Sequence, residues 1–128
     1  MKSQELDDFL LKLEKELKTG VLSLLVLHVI HSSPEPVHGY RIIQLIKESS
    51  DECGLDLKEG TIYAICRALQ SHGFVENQIV DSDKGPPKKV FKITPDGRRA
   101  LRAGLSKWKS LVHAVDTVLA KAGDGHDL

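Results

Sequence analysis

At 128 residues the chain has room for one domain and one core, plus an accessory helix or two. Its 41% apolar and 28% charged content exclude wholesale disorder, and no apolar run approaches the roughly 20 residues of a membrane-spanning helix. Eighteen basic residues balance eighteen acidic ones, which excludes a strongly basic coat protein and leaves local charge to decide where anions bind.

The N-terminus is acidic and amphipathic without a signal-peptide pattern, so a cytoplasmic location is expected. Leu6, Leu10, Leu13 and Leu17 are spaced four, three and four, with Phe9 beside them. That is a helix with a narrow apolar stripe, which needs a partner surface in its own domain or in a second chain. Thr19-Gly20 is expected to break it. Val21 to Ile30 is apolar almost all round and reads as a second, central helix. His28 and His31 on it, with His38 and Cys53 farther on, lack a third ligand at metal-binding spacing, so no metal site and no cofactor are expected. Two cysteines, Cys53 and Cys66, without redox spacing fit a reducing compartment.

Ser32-Ser33-Pro34-Glu35-Pro36 ends the second helix, and another opens at His38-Gly39-Tyr40 and runs to about Ser49. Ile42, Leu45 and Ile46 share one face of it; Tyr40, Gln44 and Lys47 share the other. Ser50 to Leu57 reads as a turn. From Glu59 to about His72, Ile62, Ile65, Cys66 and Leu69 point inward. A rotation of about 100° per residue puts Ala64, Arg67 and Ser71 opposite, with Thr61 and Tyr63 on the flanks. Small residues beside one arginine let a helix lie close to the edges of bases, and Gly73 supplies its stop.

Phe74 to Val80 and Lys88 to Thr94 read as a hairpin whose loop, Lys84-Gly85-Pro86-Pro87, is too long for a tight turn. Lys84, Lys88, Lys89 and Lys92 fall in a run without an acid. They suit phosphate contact, or serve as solubilising charges against edge pairing. Thr94-Pro95 starts a last helix to about Ala122, with threonine as the N-cap and proline at the first helical position. Leu101, Leu105, Trp108, Val112, Val115 and Leu119 repeat on it with heptad spacing, widened by Leu111 and Val118, and such a seam normally pairs with another helix. No phosphate-cradling glycine loop and no nucleophile with a paired base is recognisable, which argues against an enzyme.

The expected fold is mainly α with a small β-hairpin: a winged helix-turn-helix with an N-terminal helix and a long C-terminal dimerisation helix. Residues 1–18 form an arm, 19–94 a DNA-binding domain, 95–122 the dimerisation helix and 123–128 a flexible tail. The chain resembles the PadR family of transcriptional regulators over roughly Gly20 to Leu119. The resemblance is carried by His38-Gly39-Tyr40-Arg41-Ile42-Ile43, Gly60-Thr61-Ile62-Tyr63 with Arg67 and Leu69, and His72-Gly73-Phe74-Val75. Gly85-Pro86, Lys88-Lys89 and Phe91-Lys92-Ile93-Thr94-Pro95-Asp96-Gly97-Arg98 complete it. Ala64 stands where the family often has proline, Ala68 where a second basic residue is common, and Val90 where an aromatic is frequent.

The resemblance implies a homodimer on double-stranded DNA with a palindromic operator, often autoregulatory and released by a small molecule. It implies that Tyr40, Thr61, Tyr63 and Arg67 face DNA while Lys88 and Lys89 hold the wing on phosphate. It also implies that Trp108, with Val112 beside it, stacks a flat aromatic effector between subunits; the bland alternative for Trp108 is interface packing. The dimer seam expected is Leu6, Leu10, Leu13 and Leu17 with Leu101, Leu105, Trp108, Val112, Val115 and Leu119. Two other functions stay open at this point: a winged helix that recruits another protein, and an aromatic-ligand sensor whose DNA role is secondary.

Overall fold

The computed structural model describes residues 2–50 and 57–121. Its elements in chain order are α1 (Ser3–Ser32), β1 (Val37–His38), α2 (Gly39–Ser50), α3 (Glu59–Ser71), β2 (Val75–Val80), β3 (Lys88–Ile93) and α4 (Pro95–Lys121). The three strands form one antiparallel sheet in the order β1-β3-β2. The expected turn over 50–57 and the tail 123–128 lie outside the described residues, apart from the ends of that turn. Among the described residues no helix is long and apolar enough to cross a membrane.

Two elements depart from expectation. The N-terminal helix does not break at Thr19-Gly20, so the boundary drawn at residue 18 falls inside one continuous helix of 30 residues. A single helical glycine costs only about 1 kcal/mol relative to alanine. Helix-forming sequence on both sides outweighs that, and the Thr19 hydroxyl donates back to the Lys15 carbonyl at 2.8 Å. The second departure is β1. Val37 and His38 pair with Phe91 and Val90 of β3 and add a third strand to the expected hairpin. Two residues are too few for a period-2 pattern to register.

The core gathers one face from each helix. Leu22, Val26, Leu27 and Ile30 of α1 pack with Ile42, Ile43 and Ile46 of α2 and with Ile62, Cys66 and Leu69 of α3. Val37, Val75, Phe91 and Ile93 close the cluster from the sheet, and Leu101 from α4. Phe91, Ile42 and Ile62 are fully buried, each contributing on the order of 2–3 kcal/mol of transfer free energy. Val21 to Ile30 is not buried all round, however: His28 is exposed and lies 3.3 Å from the Ser32 hydroxyl. Leu101, expected in the dimer seam, is instead a core residue. It is 5% exposed in the chain's own core and has no surface to offer a partner, because the first turns of α4 lie against α1.

The root of the hairpin is joined to α4 through Thr94. Its backbone N–H donates to the Phe74 carbonyl at 3.0 Å and its hydroxyl donates to the Gly73 carbonyl at 2.7 Å. The same hydroxyl oxygen accepts the Gly97 N–H at 3.0 Å, which is the N-cap bond read from the sequence. Gly97 packs so closely on the Phe74 carbonyl that a Cβ there would sit inside that oxygen's contact distance. Gly97→Ala should therefore lower stability by about 1–3 kcal/mol, an overpacking cost against rigid backbone. Thr94→Val should lower it by about 1–2 kcal/mol through loss of the cap. Urea denaturation measures both, and unchanged midpoints would contradict this account of the junction.

Candidate nucleic-acid interface

Helix α3 is amphipathic in the sense the sequence indicates. Ile62, Cys66 and Leu69 are buried and Ile65 is half-buried, while Thr61, Ala64, Arg67, Ala68 and Ser71 form an exposed strip. The strip carries short side chains and one guanidinium, so the helix backbone has nothing bulky between it and an approaching surface. Its C-terminus closes on Gly73, whose φ of +76° is the left-handed region that glycine adopts without a steric penalty. The Gly73 N–H donates to the Gln70 carbonyl and the Phe74 N–H to the Leu69 carbonyl, both at 2.9 Å. This pair of bonds satisfies the last carbonyls and turns the chain directly into β2.

Tyr63 is placed differently from its neighbours on the strip. It is half-buried, and its ring lies over Gly39 so closely that a Cβ at residue 39 would collide with it. Burial, with the charge of Glu59 behind it, pushes the Tyr63 hydroxyl above its ordinary range. The side chain thus spans α2 and α3 and sets the angle between them. Tyr40, at the start of α2, is the exposed tyrosine.

The wing separates residues that the sequence sets side by side. Lys89 pairs with Ile79, on the sheet face that carries the buried Phe91 and Ile93. Lys88 pairs with Val80, on the face of Val90 and His38. Successive side chains of a strand point to opposite faces, so the two lysines leave the wing in opposite directions. Lys89 lies on the α3 side: its charge and that of Arg67 both act on the Cys66 thiol, although burial dominates and pushes that thiol up to about 11. A thiol protonated throughout the neutral range, in the core, is chemically inert.

Lys84 and Lys88 share an open hollow at the wing turn with Asp81, Ser82 and Asp83. The acid-free run from Lys84 to Lys92 is therefore not acid-free in space, because the carboxylates come from across the turn. The turn itself is held by Ser82, whose hydroxyl reaches the carbonyls of Gly85 at 3.1 Å and Pro86 at 2.9 Å. Gly85 takes a φ of +115°, which requires glycine.

His38, read from the sequence only as the residue that opens α2, has a larger part at this face. Its Nδ1 accepts the Arg41 backbone N–H at 3.3 Å, capping α2, and its ring stacks parallel to that of Tyr40 with centroids 6.5 Å apart. A residue in a two-residue strand has no pattern to mark it, and only the pairing with β3 brings it beside Lys88.

Away from this face, apolar side chains remain bare on two helices. Leu6, Phe9, Leu10, Leu11 and Leu17 of α1 are exposed, as are Trp108, Leu111, Val115, Val118 and Leu119 of α4. Leu13 and Val112 are half-buried, and Leu105 packs partly on the core.

Known proteins share this fold. The model of the transcriptional regulator PadR-like family matches residues 26–103, more than half the chain. A PadR family transcriptional regulator from Eggerthella lenta has a similar structure, with a TM-score of 0.72 and 28% identity over 91% of this chain and 97% of that one. A PadR-like transcriptional regulator from Bacillus cereus gives a TM-score of 0.65 and 26% identity over 81% of this chain and 96% of its own. An uncharacterised protein of Lysinibacillus sphaericus is 26% identical over 97 residues, covering 76% of this chain and 86% of that protein.

Proposed function

Since this chain belongs to the PadR-like family of transcriptional regulators, we propose that it is a homodimeric repressor that reads a palindromic operator and releases it to a flat aromatic effector. It is a DNA-binding regulator rather than an enzyme. The observation that carries it is the exposed strip of α3, small residues around Arg67, flanked by Lys89 on the adjoining face of the wing. A helix bare of bulk enters a major groove, and cations beside it meet the phosphates that line the groove.

In this reading Thr61, Ala64, Arg67 and Ser71 approach base edges, and Arg67 is the direct reader. Lys89 meets the strand on the α3 side. Lys88 and Lys84 meet backbone on the other side, together with Tyr40. Tyr63 supports the assembly from behind by holding α2 against α3. Division of Lys88 and Lys89 between the faces suits a wing that stands between two phosphate rows. The carboxylates of Asp81 and Asp83 temper Lys84 and Lys88, which places the larger backbone contribution on Lys89.

The dimer rests on apolar surface. Among the described residues, ten of the twelve large hydrophobic residues that are exposed belong to α1 and α4, in stripes at heptad spacing. Stripes of that kind on a single chain are covered by a second copy, and two α3 helices then present to half-sites about one helical turn apart. Trp108 lies within the α4 stripe, where its indole face stacks the effector. Binding there shifts the population between arm angles only if the two states differ in affinity for the effector.

Fluorescence anisotropy on duplex from upstream of the chain's own coding region, against a random duplex, tests the repressor. Arg67→Ala should lose about 1–3 kcal/mol on the operator and little on the random duplex. Equal affinity to wild type on the operator would remove Arg67 from base contact. Leu10→Asp with Val115→Asp should convert a dimer to a monomer in light scattering, and a wild-type mass of one chain would end the dimer reading. Planar aromatic compounds should quench the single tryptophan at concentrations that also release the operator. Quenching without release would leave Trp108 outside regulation.

A further inference from the structure

His38 has one ring nitrogen committed and one free. Nδ1 accepts the Arg41 N–H, and an imidazole that accepts there is neutral with its hydrogen on Nε2. Among the described residues Nε2 has no hydrogen-bond partner. The α2 cap therefore holds a donor at a defined orientation on a half-exposed residue, and the parallel ring of Tyr40 restricts it further.

The surroundings of that donor are cationic. His38 lies opposite Val90 in β3, so Lys88, two residues earlier on the same strand, leaves the sheet on the same face as His38. Burial first, then the charges of Lys88 and Arg41, hold the imidazole below its ordinary range. Among the described residues the charges that act on it are those two cations, with Asp81 and Asp83 sharing the hollow with Lys88 and Glu48 lying 3.4 Å from the Arg41 guanidinium. Lys88 on the wing and Arg41 on α2 thus bring positive charge to the His38 ring from two elements.

We propose that His38 is a DNA-backbone contact, donating its Nε2–H to a phosphate oxygen that Lys88 meets from the wing and Tyr40 from the start of α2. The contact ties the first helix of the DNA-binding unit and the wing to one phosphate, and so fixes the depth at which α3 sits in the groove. It rests on the reading of this face as the one that meets DNA. The donor is uncharged, so it adds affinity without releasing a counterion. That separates it from a lysine contact, whose loss flattens the salt dependence.

The test uses His38→Asn in the full chain, since asparagine caps a helix as well as any residue while its side chain is too short to reach the phosphate. An unchanged melting temperature establishes that the cap survives. His38→Asn should then bind a random duplex and the upstream duplex about tenfold more weakly at unchanged salt slope, the loss of a hydrogen bond to a charged group. Lys88→Ala should weaken both and lower the slope by about 1. Wild-type affinity in a normally folded His38→Asn protein would overturn the proposal, leaving His38 as a cap alone. A loss confined to the upstream duplex would also overturn it, since phosphates carry no sequence. If the wild-type chain binds neither duplex at low salt, the DNA-facing reading of this surface fails and the His38 contact fails with it.

Discussion

The structure depends on the close approach of α4 to the turn between α3 and β2. Thr94 bonds to Gly73 and Phe74 of that turn, and Gly97 leaves no space between its own backbone and the Phe74 carbonyl. Three parts meet there: the C-terminus of the α3 helix, the root of the wing and the first turn of the long arm. Because the contact is backbone to backbone, it does not yield by changing a side-chain rotamer. The arm and the recognition face therefore move together or not at all. In the proposed dimer, a change in the angle between α4 helices would reach the two α3 helices through this junction. Stiffness of that kind is what lets a ligand on one element bias a distant one.

The two long helices divide their apolar residues between two uses. In α1, Leu22, Val26, Leu27 and Ile30 fill the core, while the stripe from Leu6 to Leu17 stays bare. In α4, Leu101 fills the core, while Trp108 to Leu119 stays bare. The α1 helix crosses from one use to the other without interruption at Gly20. Continuity matters mechanically, because a hinge there would uncouple the arm from the body. It also accounts for how so short a chain forms a proper core and still exposes long apolar stripes: helices that project past the core carry the surplus.

Zero net charge is compatible with the proposed DNA-binding face because charge is sorted locally rather than spread evenly. Arg67 and Lys89 stand together beside the α3 strip, and Lys88 and Arg41 surround His38. Carboxylates also lie at this surface: Glu48 beside Arg41, Glu59 beside Tyr63, and Asp81 and Asp83 at the wing turn. Strand alternation does the sorting on the wing, sending adjacent lysines to opposite faces. The face near α3 keeps one lysine and one exposed isoleucine, while the other keeps Lys88, Lys92 and His38.

Periodicity along the chain determined the helical elements, the inward face of α3, the Thr94 cap and the Gly73 stop, because each depends on residues within a few positions of one another. It also marked the strip from Thr61 to Ser71, since exposure on one helix follows from burial of the opposite side. Tertiary structure alone decided the rest. Whether Gly20 breaks α1 depends on flanking helix and packing rather than on local propensity. Leu101 belongs to the core and Leu119 does not, although both occupy the same heptad seam, because only the start of α4 lies against α1. Tyr63 is a spacer between helices because Gly39 makes room for it. Lys88 and Lys89 part, Asp81 and Asp83 arrive beside Lys84, and His38 gains its place next to Lys88 only through pairing of β1, β2 and β3. Pairing between strands distant in sequence leaves no short-range pattern, which is why these relations were not legible in the order of residues.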